Sequence, residues 1–272
     1  MSLQGKRVAL LEARMSAEIA SMVARFGGTP YSVPAVRETP LDLPEETTAF
    51  VDALCAGRFA VLVFMTGVGA SALLKEAEKR GQLDAALVAL RGATTVCRGP
   101  KPVSVLRKQD VQVNLTAAEP HTTTELLQAL EAVDLQRKAV ALVHYGERND
   151  IAADAMKKRG ASVSEICLYE WRLPEDVTAL ERLVGEIIAG QVDALAITSQ
   201  IQIRHLFEIA DKAGRRSDLA DALNRKTVVA AVGPVCASTL RSFGVIPHVQ
   251  PSHPKMGPMM LALSDYFDLT AR

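Results

Sequence analysis

Short runs of apolar residues alternate along the chain with longer stretches in which apolar residues recur at helical spacing. The short runs predict strands and the longer stretches predict helices. Main strands are predicted at 7–11, 60–65, 93–97, 139–144, 194–198 and 228–232, with shorter ones near 30–36, 111–114, 163–169 and 246–249. Helices are predicted at 16–26, 45–56, 68–79, 102–108, 122–132, 149–159, 176–189, 201–213, 234–243 and 256–267. This alternation indicates an α/β fold in which helices flank parallel sheets.

The same pattern occurs twice along the chain. Residues 6–10 return at 138–142, and Gly99-Pro100 returns as Gly233-Pro234. The matched segments lie about 132–134 residues apart, whereas solenoid repeats run to about 20–50 residues. The repeat therefore predicts two similar α/β lobes, each a parallel sheet flanked by helices. A cleft between two such lobes is a favoured place for a ligand.

Two extended segments, Tyr31–Pro44 and Glu165–Pro174, match each other at the repeat spacing and predict a two-stranded linker. If the chain crosses between lobes at both segments, the second lobe is inserted within the first. The lobes are then 1–36 plus 173–272, and 37–172. A single cut near residue 137 is the alternative, and the periodicity does not choose between them.

Composition and charge narrow the class of protein. The 272 residues match about two domains of 100–200 residues. Lysine plus arginine (31) equals aspartate plus glutamate (31), so no global field attracts nucleic acid or an anionic membrane surface. The four cysteines are isolated, which argues against a zinc knuckle or a disulfide framework and fits a reducing cytoplasm. No stretch approaches about 18 apolar residues, and the expectation is a soluble cytoplasmic protein.

Small and polar residues follow several predicted strands just before a helix begins, and they are candidates for binding a ligand. In open α/β sheets the carboxyl edge holds the ligand, where helix starts present free N–H groups and a positive dipole end. The candidates are Thr66, Gly67 and Val68; Arg98 and Lys101; Thr198, Ser199 and Gln200; and Gly233, Pro234, Val235 and Cys236.

One of these segments, Gly67 to Ala72, satisfies the Gly-x-Gly-x-x-Ala dinucleotide fingerprint. The Rossmann fingerprint, however, lies in the first strand–helix turn and needs an acidic residue about 20 positions later. This segment follows a later strand, and the next strand ends in Cys97-Arg98. The pattern thus favours a tight turn that exposes N–H groups to an anion, with a two-lobed nucleotide-binding protein as a more distant alternative.

The cations Arg98 and Lys101 flank a predicted helix start, where they oppose the helix dipole. Carboxylate recognition would explain them, because Arg binds carboxylates bidentately and Lys adds a point charge. A solvated edge with Arg98 paired to a surface acid is the alternative. Thr198 and Ser199 are candidates both for capping the next helix and for binding a carboxylate there.

Several segments together resemble the uroporphyrinogen-III synthase family. They are the strand ending in arginine at Val8–Arg14, Ile197-Thr198-Ser199 at a helix start, Ala231-Val232-Gly233-Pro234, the closing stretch from His248 to Leu263, and the linker strand with Tyr169. Members of the family have two α/β lobes joined by a two-stranded linker. The resemblance therefore supports the crossover arrangement over a single cut.

The resemblance implies an enzyme that closes the linear tetrapyrrole hydroxymethylbilane into uroporphyrinogen III, with loss of water and inversion of ring D. The family uses no metal or organic cofactor. Tyr169 is implied as the catalytic residue that donates to the departing hydroxyl, and Arg14 joins the candidates above in binding substrate. The expected protein is a monomer with no nucleic-acid or membrane partner. Positions 67–68 and 235–236 lack hydroxyl side chains, which leaves open a non-catalytic tetrapyrrole- or anion-sensing module of the same fold.

Overall fold

A computed structural model describes residues 3–41, 43–144 and 146–270. The strands are β1 (Arg7–Leu10), β2 (Thr29–Ser32), β3 (Arg37–Pro40), β4 (Val61–Phe64), β5 (Thr94–Cys97), β6 (Leu115–Thr116), β7 (Ala139–Val143), β8 (Ser162–Ile166), β9 (Tyr169–Arg172), β10 (Ala194–Ile197) and β11 (Val228–Ala231). The helices are α1 (Ser16–Arg25), α2 (Pro44–Cys55), α3 (Gly67–Lys79), α4 (Leu83–Gly92), α5 (Pro100–Arg107), α6 (Thr123–Leu130), α7 (Asp150–Lys158), α8 (Thr178–Ile188), α9 (Gln200–Lys212), α10 (Arg216–Arg225), α11 (Pro234–Ser242) and α12 (Met256–Thr270).

The chain forms two compact units. Unit 1 is Met1–Arg37 with Arg172–Arg272, and unit 2 is Glu38–Trp171. Unit 1 contains a four-stranded parallel sheet in the order β11-β10-β1-β2. Unit 2 contains a five-stranded parallel sheet in the order β6-β5-β4-β7-β8. The predicted α/β class with parallel sheets flanked by helices is therefore confirmed. Strands β3 and β9, which include both unit boundaries, pair in a two-stranded sheet.

The central strands are apolar on both faces, as sheets covered by helices require. Every residue of β4 and of β10 is buried. In unit 2 one core cluster includes Phe64 and Leu73, and a second includes Val63 and Leu142. Successive residues of β4 thus pack into different cores, one on each side of the sheet, because side chains alternate along a strand.

The sequence repeat and the folding units do not coincide. Strands β1, β2, β4 and β5 correspond at the repeat spacing to β7, β8, β10 and β11, and the shared order β5-β4-β7-β8 matches β11-β10-β1-β2. Even the short β6 has a counterpart, because Leu115 pairs with Val96 and Val249 bridges to Ala230. Each unit combines the later strands of one repeat with the early strands of the other.

Several sequence-based element predictions were incomplete or wrong. The predicted strand 163–169 is two strands, β8 and β9, which are separated at Cys167 and Leu168. The strand predicted at 30–36 ends at Ser32, and the strand predicted near 111–114 lies at β6 instead. The predicted strand 246–249 is not a strand, and only Val249 forms an isolated bridge. Helices α4 and α10 were missed; each follows the preceding helix after only three residues, which leaves little room for a separating turn signal.

Candidate functional site

Each sheet has one point where the strand order reverses, and ligands of open α/β sheets bind beside such points. In unit 2 the chain adds β5 and β6 on one side of β4, then β7 and β8 on the other. In unit 1 it adds β2 on one side of β1, then β10 and β11 on the other. The reversals therefore lie between β4 and β7, and between β1 and β10.

Thr66 lies at the unit 2 reversal, between the end of β4 and the start of α3. Its side-chain oxygen caps the helix by accepting a hydrogen bond from the Gly69 amide at 3.0 Å. The same oxygen lies 2.8 Å from the Tyr169 hydroxyl. Thr66 therefore caps α3, and two of the predicted site residues, Thr66 and Tyr169, are in direct contact.

The two glycines of the Gly-x-Gly pattern are explained by packing. A Cβ atom at Gly67 would lie 3.1 Å from the carbonyl carbon and oxygen of Lys101, at the start of α5. A Cβ atom at Gly69 would lie 2.7 Å from the carbonyl oxygen of His144, just after β7. Glycine thus lets α3 begin close to both α5 and the end of β7. The candidates Gly67 and Lys101 are brought together as a result.

Tyr169 is buried, with 3% of its surface exposed, and is held from several directions. Its ring contacts the Trp171 ring edge to face, with centroids 5.3 Å apart and planes at 90°. The Trp171 indole lies directly against Gly146, where an added Cβ would overlap it. The Tyr169 carbonyl accepts a hydrogen bond from the Cys167 thiol at 3.1 Å. The phenol is thus fixed beside the start of α3.

His144 follows β7 at the same reversal and was missed by the sequence analysis. Its side chain is fully buried; its Nδ1 accepts from the Asn149 amide at 3.1 Å, and its Nε2 lies 2.9 Å from a Glu165 carboxylate oxygen. Because Nδ1 is the acceptor, Nε2 carries the hydrogen. Lys157 donates to the other Glu165 oxygen at 3.0 Å. A histidine directly after a buried strand was the available signal, but its partner Glu165 lies 21 residues further along the chain.

Burial lowers the pKa of His144, and the hydrogen bond to Glu165 only partly offsets this. Burial alone would raise the pKa of Glu165, but the hydrogen bonds from Lys157 and His144 outweigh it and lower that pKa. The pair is therefore a neutral imidazole that donates to an ionised carboxylate. The network thus includes Asn149, whose side chain also caps α7.

The remaining unit 2 candidates surround the start of α3. Val68 and Arg98 are half-buried, and Lys101 is exposed. The Arg98 amide donates to the Phe64 carbonyl at 3.0 Å, so Arg98 lies beside the end of β4. In the first turn of α5, Pro100 and Pro102 have no N–H group. The anion-binding potential of α5 therefore rests on the Lys101 amide and side chain.

In unit 1, Thr198 occupies the position that Thr66 occupies in unit 2. Its hydroxyl donates to the Glu12 carboxylate, just after β1, and accepts from Gln202 Nε2 at 2.9 Å. Gln202 Oε1 accepts from the amides of Thr198 and Ser199 at 2.9 and 3.2 Å. The Thr198 hydrogen is thus engaged within the unit. Sequence analysis missed Glu12 and Gln202, although an acid directly after a strand was a visible signal.

The other unit 1 candidates lie at helix starts or in the loop after β1. Ser199 forms a capping box with Gln202 at the start of α9, which confirms the predicted cap. Gln200 is the first residue of that helix, and Arg14 is exposed before α1. The first amides of an α-helix lack intrahelical acceptors, and in α9 the Ser199 side chain accepts from the Gln202 amide.

The start of α11 offers backbone rather than side-chain donors. Gly233 precedes the helix, Pro234 opens it without an N–H group, and the Val235 side chain is 43% exposed. The Cys236 thiol points into the core, and burial raises its pKa to about 12. Any contact from Cys236 to a ligand would therefore use its backbone amide.

Clusters that could hold a metal ion and helices that could span a membrane are both absent from residues 3–41, 43–144 and 146–270. Within these ranges, no group of three or more His, Cys, Asp or Glu residues is arranged to hold a metal ion. None of the helices described there is long and apolar enough to cross a membrane.

Known proteins are similar to this chain in sequence and in fold. The family model described as Uroporphyrinogen-III synthase HemD matches residues 17–260. Uncharacterized protein YjjA of Bacillus subtilis (strain 168) is 32% identical over 266 residues, 98% of this chain and 97% of that protein. A mutant uroporphyrinogen III synthase from the extremely thermophilic bacterium Thermus thermophilus has a TM-score of 0.77 at 27% identity, covering 97% of this chain and 100% of that one. Uroporphyrinogen-III synthetase from Helicobacter pylori 26695 shares the fold, with a TM-score of 0.58 at 12% identity over 98% and 100% of the chains.

Proposed function

The chain belongs to the uroporphyrinogen-III synthase family, and from that premise we propose that it cyclises hydroxymethylbilane to uroporphyrinogen III. The reaction loses water and inverts the terminal ring D. Besides the family, the observation that supports this proposal is the Tyr169 hydroxyl, held 2.8 Å from Thr66 at the strand-order reversal of unit 2. A proton donor is fixed there beside a helix start.

The chemistry requires a proton donor and control of conformation. Loss of the hydroxymethyl hydroxide leaves an azafulvene cation, which ring D attacks at its substituted carbon to form a spiro intermediate. That intermediate fragments and recloses in the inverted sense. Tyr169 donates to the departing hydroxyl, a role worth roughly 10²–10⁴-fold for a general acid. The rest of catalysis is positioning, because the two ends must be held in the geometry that favours the spiro route.

The substrate's eight carboxylates are bound by helix starts and cations. In unit 2 these are the first amides of α3, at Gly67 and Val68, with the side chains of Lys101 and Arg98. In unit 1 the amides at the starts of α9 and α11 and the Arg14 guanidinium serve the same purpose. Helix N-termini suit this role because their N–H groups and dipole both favour an anion.

The isomer of the product tests this function, because uncatalysed closure gives the non-inverted type I isomer. Tyr169→Phe retains the ring and deletes the hydroxyl, so it should lose most type III formation with near-normal thermal stability. Tyr266→Phe on α12 is the matched control and should retain full turnover. Full type III turnover by Tyr169→Phe would remove the tyrosine from the mechanism.

A second candidate is a tetrapyrrole- or anion-sensing module that binds without turnover. The start of α11 favours it, because Val235 presents an apolar side chain to solvent and the Cys236 thiol is buried. A sensor would bind uroporphyrinogen III in calorimetry and give no type III isomer from hydroxymethylbilane. The synthase gives that isomer.

A further inference from the structure

We propose that Glu12, at the strand-order reversal of unit 1, binds pyrrole N–H groups of the tetrapyrrole through its carboxylate. This inference rests on the function proposed above and says which part of the substrate lies at this point of the unit. The helix starts of unit 1 bind the substrate's carboxylates, whereas Glu12 accepts hydrogen bonds from the rings that carry them.

Glu12 lies at the edge of the sheet where ligands of open α/β sheets bind. It follows β1 by two residues, and Thr198 directly follows the neighbouring strand β10. The Glu12 side chain is half-buried. Among the described residues its hydrogen-bond partners are Thr198, Gln202 and the Met15 amide, and none of these is a cation. A carboxylate in such surroundings repels a substrate carboxylate and suits a neutral hydrogen-bond donor.

The direction of the hydrogen bonds around Glu12 is set by backbone amides. Gln202 Oε1 accepts from the amides of Thr198 and Ser199 at 2.9 and 3.2 Å, and a backbone amide can only donate. The other end of the Gln202 side chain, Nε2, therefore donates, to Thr198 Oγ1 at 2.9 Å and to Glu12 Oε2 at 3.3 Å. The Thr198 hydroxyl accepts on that side and gives its hydrogen to Glu12 Oε2.

Both side-chain donors thus engage the same carboxylate oxygen and leave the second one, Oε1, with spare capacity. Among the described residues Oε1 meets only the Met15 amide, at 3.5 Å, which is beyond the usual length of a hydrogen bond. A carboxylate has about four acceptor positions. Glu12 can therefore accept a further hydrogen bond through Oε1, and the partner must supply the hydrogen.

The tetrapyrrole supplies such donors. Its ionised carboxylates can only accept, so the donors of hydroxymethylbilane are its pyrrole N–H groups and the single hydroxymethyl O–H. Uroporphyrinogen III has lost that hydroxyl and retains the N–H groups, so binding of the product reports on the N–H groups alone. A hydrogen bond to an ionised acceptor is roughly twice as strong as one between neutral groups. Glu12 therefore favours a pose with the pyrrole N–H groups at this edge and disfavours one with a carboxylate there.

Glu12→Gln tests this pose because it changes one acceptor into a donor at nearly constant shape. The amide oxygen of the new side chain takes the place of Oε2, since Thr198 and Gln202 both donate there. Its NH2 group then takes the place of Oε1 and opposes a pyrrole N–H. We expect anaerobic titration calorimetry to show about tenfold weaker binding of uroporphyrinogen III, although the variant removes a negative charge. The thermal midpoint should stay close to that of the wild type.

Glu12→Ala distinguishes this role from a purely structural one. It removes the acceptor without adding a donor, so it should weaken binding less than Glu12→Gln does. It should lower the thermal midpoint more, because Thr198 and Gln202 lose the oxygen to which they donate. A purely structural role requires the opposite order, with Glu12→Gln like the wild type and Glu12→Ala the weaker binder, and that order would overturn the inference. Tighter binding by both variants would also overturn it, because Glu12 would then only repel the ligand's carboxylates.

Glu18→Gln is the matched control, because it removes the same charge from an exposed position in the first turn of α1. It should bind uroporphyrinogen III as the wild type does, and a tenfold loss here would remove Glu12 from the binding account. The assay uses the product and needs no turnover, so the failures are separable. If the wild type makes the type III isomer while Glu12→Gln binds as tightly as the wild type, the inference alone is wrong. If the wild type binds and makes no type III isomer, the proposed function is wrong, and the order of the variants still decides the role of Glu12.

Discussion

At the residue scale, Gly67 and Gly69 set how closely α3 begins beside its neighbours. The sequence predicted a tight turn here, and the glycines themselves were visible. The backbone atoms that these glycines approach were not visible in the sequence, because Lys101 and His144 lie on elements about 34 and 75 residues further along the chain. The same limit explains why Tyr169 was predicted through family resemblance while its contact with Thr66 was not.

Gly69→Ala is predicted to destabilise unit 2. The new Cβ would lie 2.7 Å from the His144 carbonyl oxygen, a backbone atom, so α3 or the end of β7 must shift. Overpacking of this kind costs about 1–3 kcal/mol. Gly92→Ala, at the end of α4, meets no atom within 4 Å and should be neutral or slightly stabilising. Urea unfolding of both variants checks this, and equal midpoints would contradict the packing account.

Because His144 is buried, we expect the free energy of unfolding to decrease as the pH falls below neutrality. Burial lowers its pKa in the folded protein from the ordinary 6.5, so the unfolded chain binds the proton more readily. The contribution of neutral His144 to the free energy of unfolding is complete above about pH 6.5. It decreases below that pH, until the pH reaches the lower pKa of His144 in the folded protein. The lowered pKa of Glu165 adds a further loss as the pH falls below its ordinary 4.5.

The measurement is the urea midpoint of wild type and His144→Gln between pH 8 and pH 5. One proton changes the free energy of unfolding by at most about 1.4 kcal/mol per pH unit. The wild type should lose more stability over this range than the variant, which lacks the titrating group. Parallel curves would show that His144 does not titrate on unfolding.

At the element scale, the strand ends and helix starts that form the candidate site were predictable from the sequence. Buried strands such as β4 and β10 are short apolar runs, and the Thr66 and Ser199 caps follow them directly. Helices α4 and α10 follow the preceding helices after only three residues, and β9 is separate from β8 because it pairs with β3, which is distant in sequence. Local pattern therefore predicted the strand ends and helix starts around the candidate site better than it predicted the peripheral elements.

Lys101 is predicted to bind a substrate carboxylate at the start of α5. Lys101→Ala should weaken the binding of uroporphyrinogen III about tenfold, since a charged hydrogen bond is worth roughly 1.5–3 kcal/mol when well formed. Lys108→Ala removes the same charge at the other end of α5 and is the matched control. Anaerobic titration calorimetry measures both, and Arg14→Ala tests the unit 1 counterpart. Equal affinities for Lys101→Ala and Lys108→Ala would show that the loss of binding comes from the change in net charge and not from a contact at Lys101.

At the scale of the whole molecule, the segments that repeat in the sequence are not the segments that form the two compact units. The repeat was visible in the sequence, but periodicity alone left a single cut near 137 as an alternative. The observed sheets divide each repeat, since β1 and β2 pair with β10 and β11, while β4 to β6 pair with β7 and β8. Strand pairing between distant segments leaves no periodic signal, which is why the resemblance was needed.

Two fragments test this division. Residues 38–171 include every strand of the five-stranded sheet and both unit 2 core clusters, so this fragment should unfold cooperatively in urea. Residues 1–136 follow the sequence repeat and separate the strands of both sheets, so they should show no cooperative transition. Circular dichroism during urea titration distinguishes the two. Cooperative unfolding of 1–136 alone would contradict the discontinuous division.

The most direct test of the central claim is the isomer that the wild-type protein makes from freshly prepared hydroxymethylbilane. The product is oxidised to the porphyrin, and the type I and type III isomers are separated by chromatography, with heat-denatured protein as the control. We predict that type III predominates with active protein and type I with the denatured control. The same type I product in both samples, together with retained tetrapyrrole binding, would contradict the synthase and leave the sensing module.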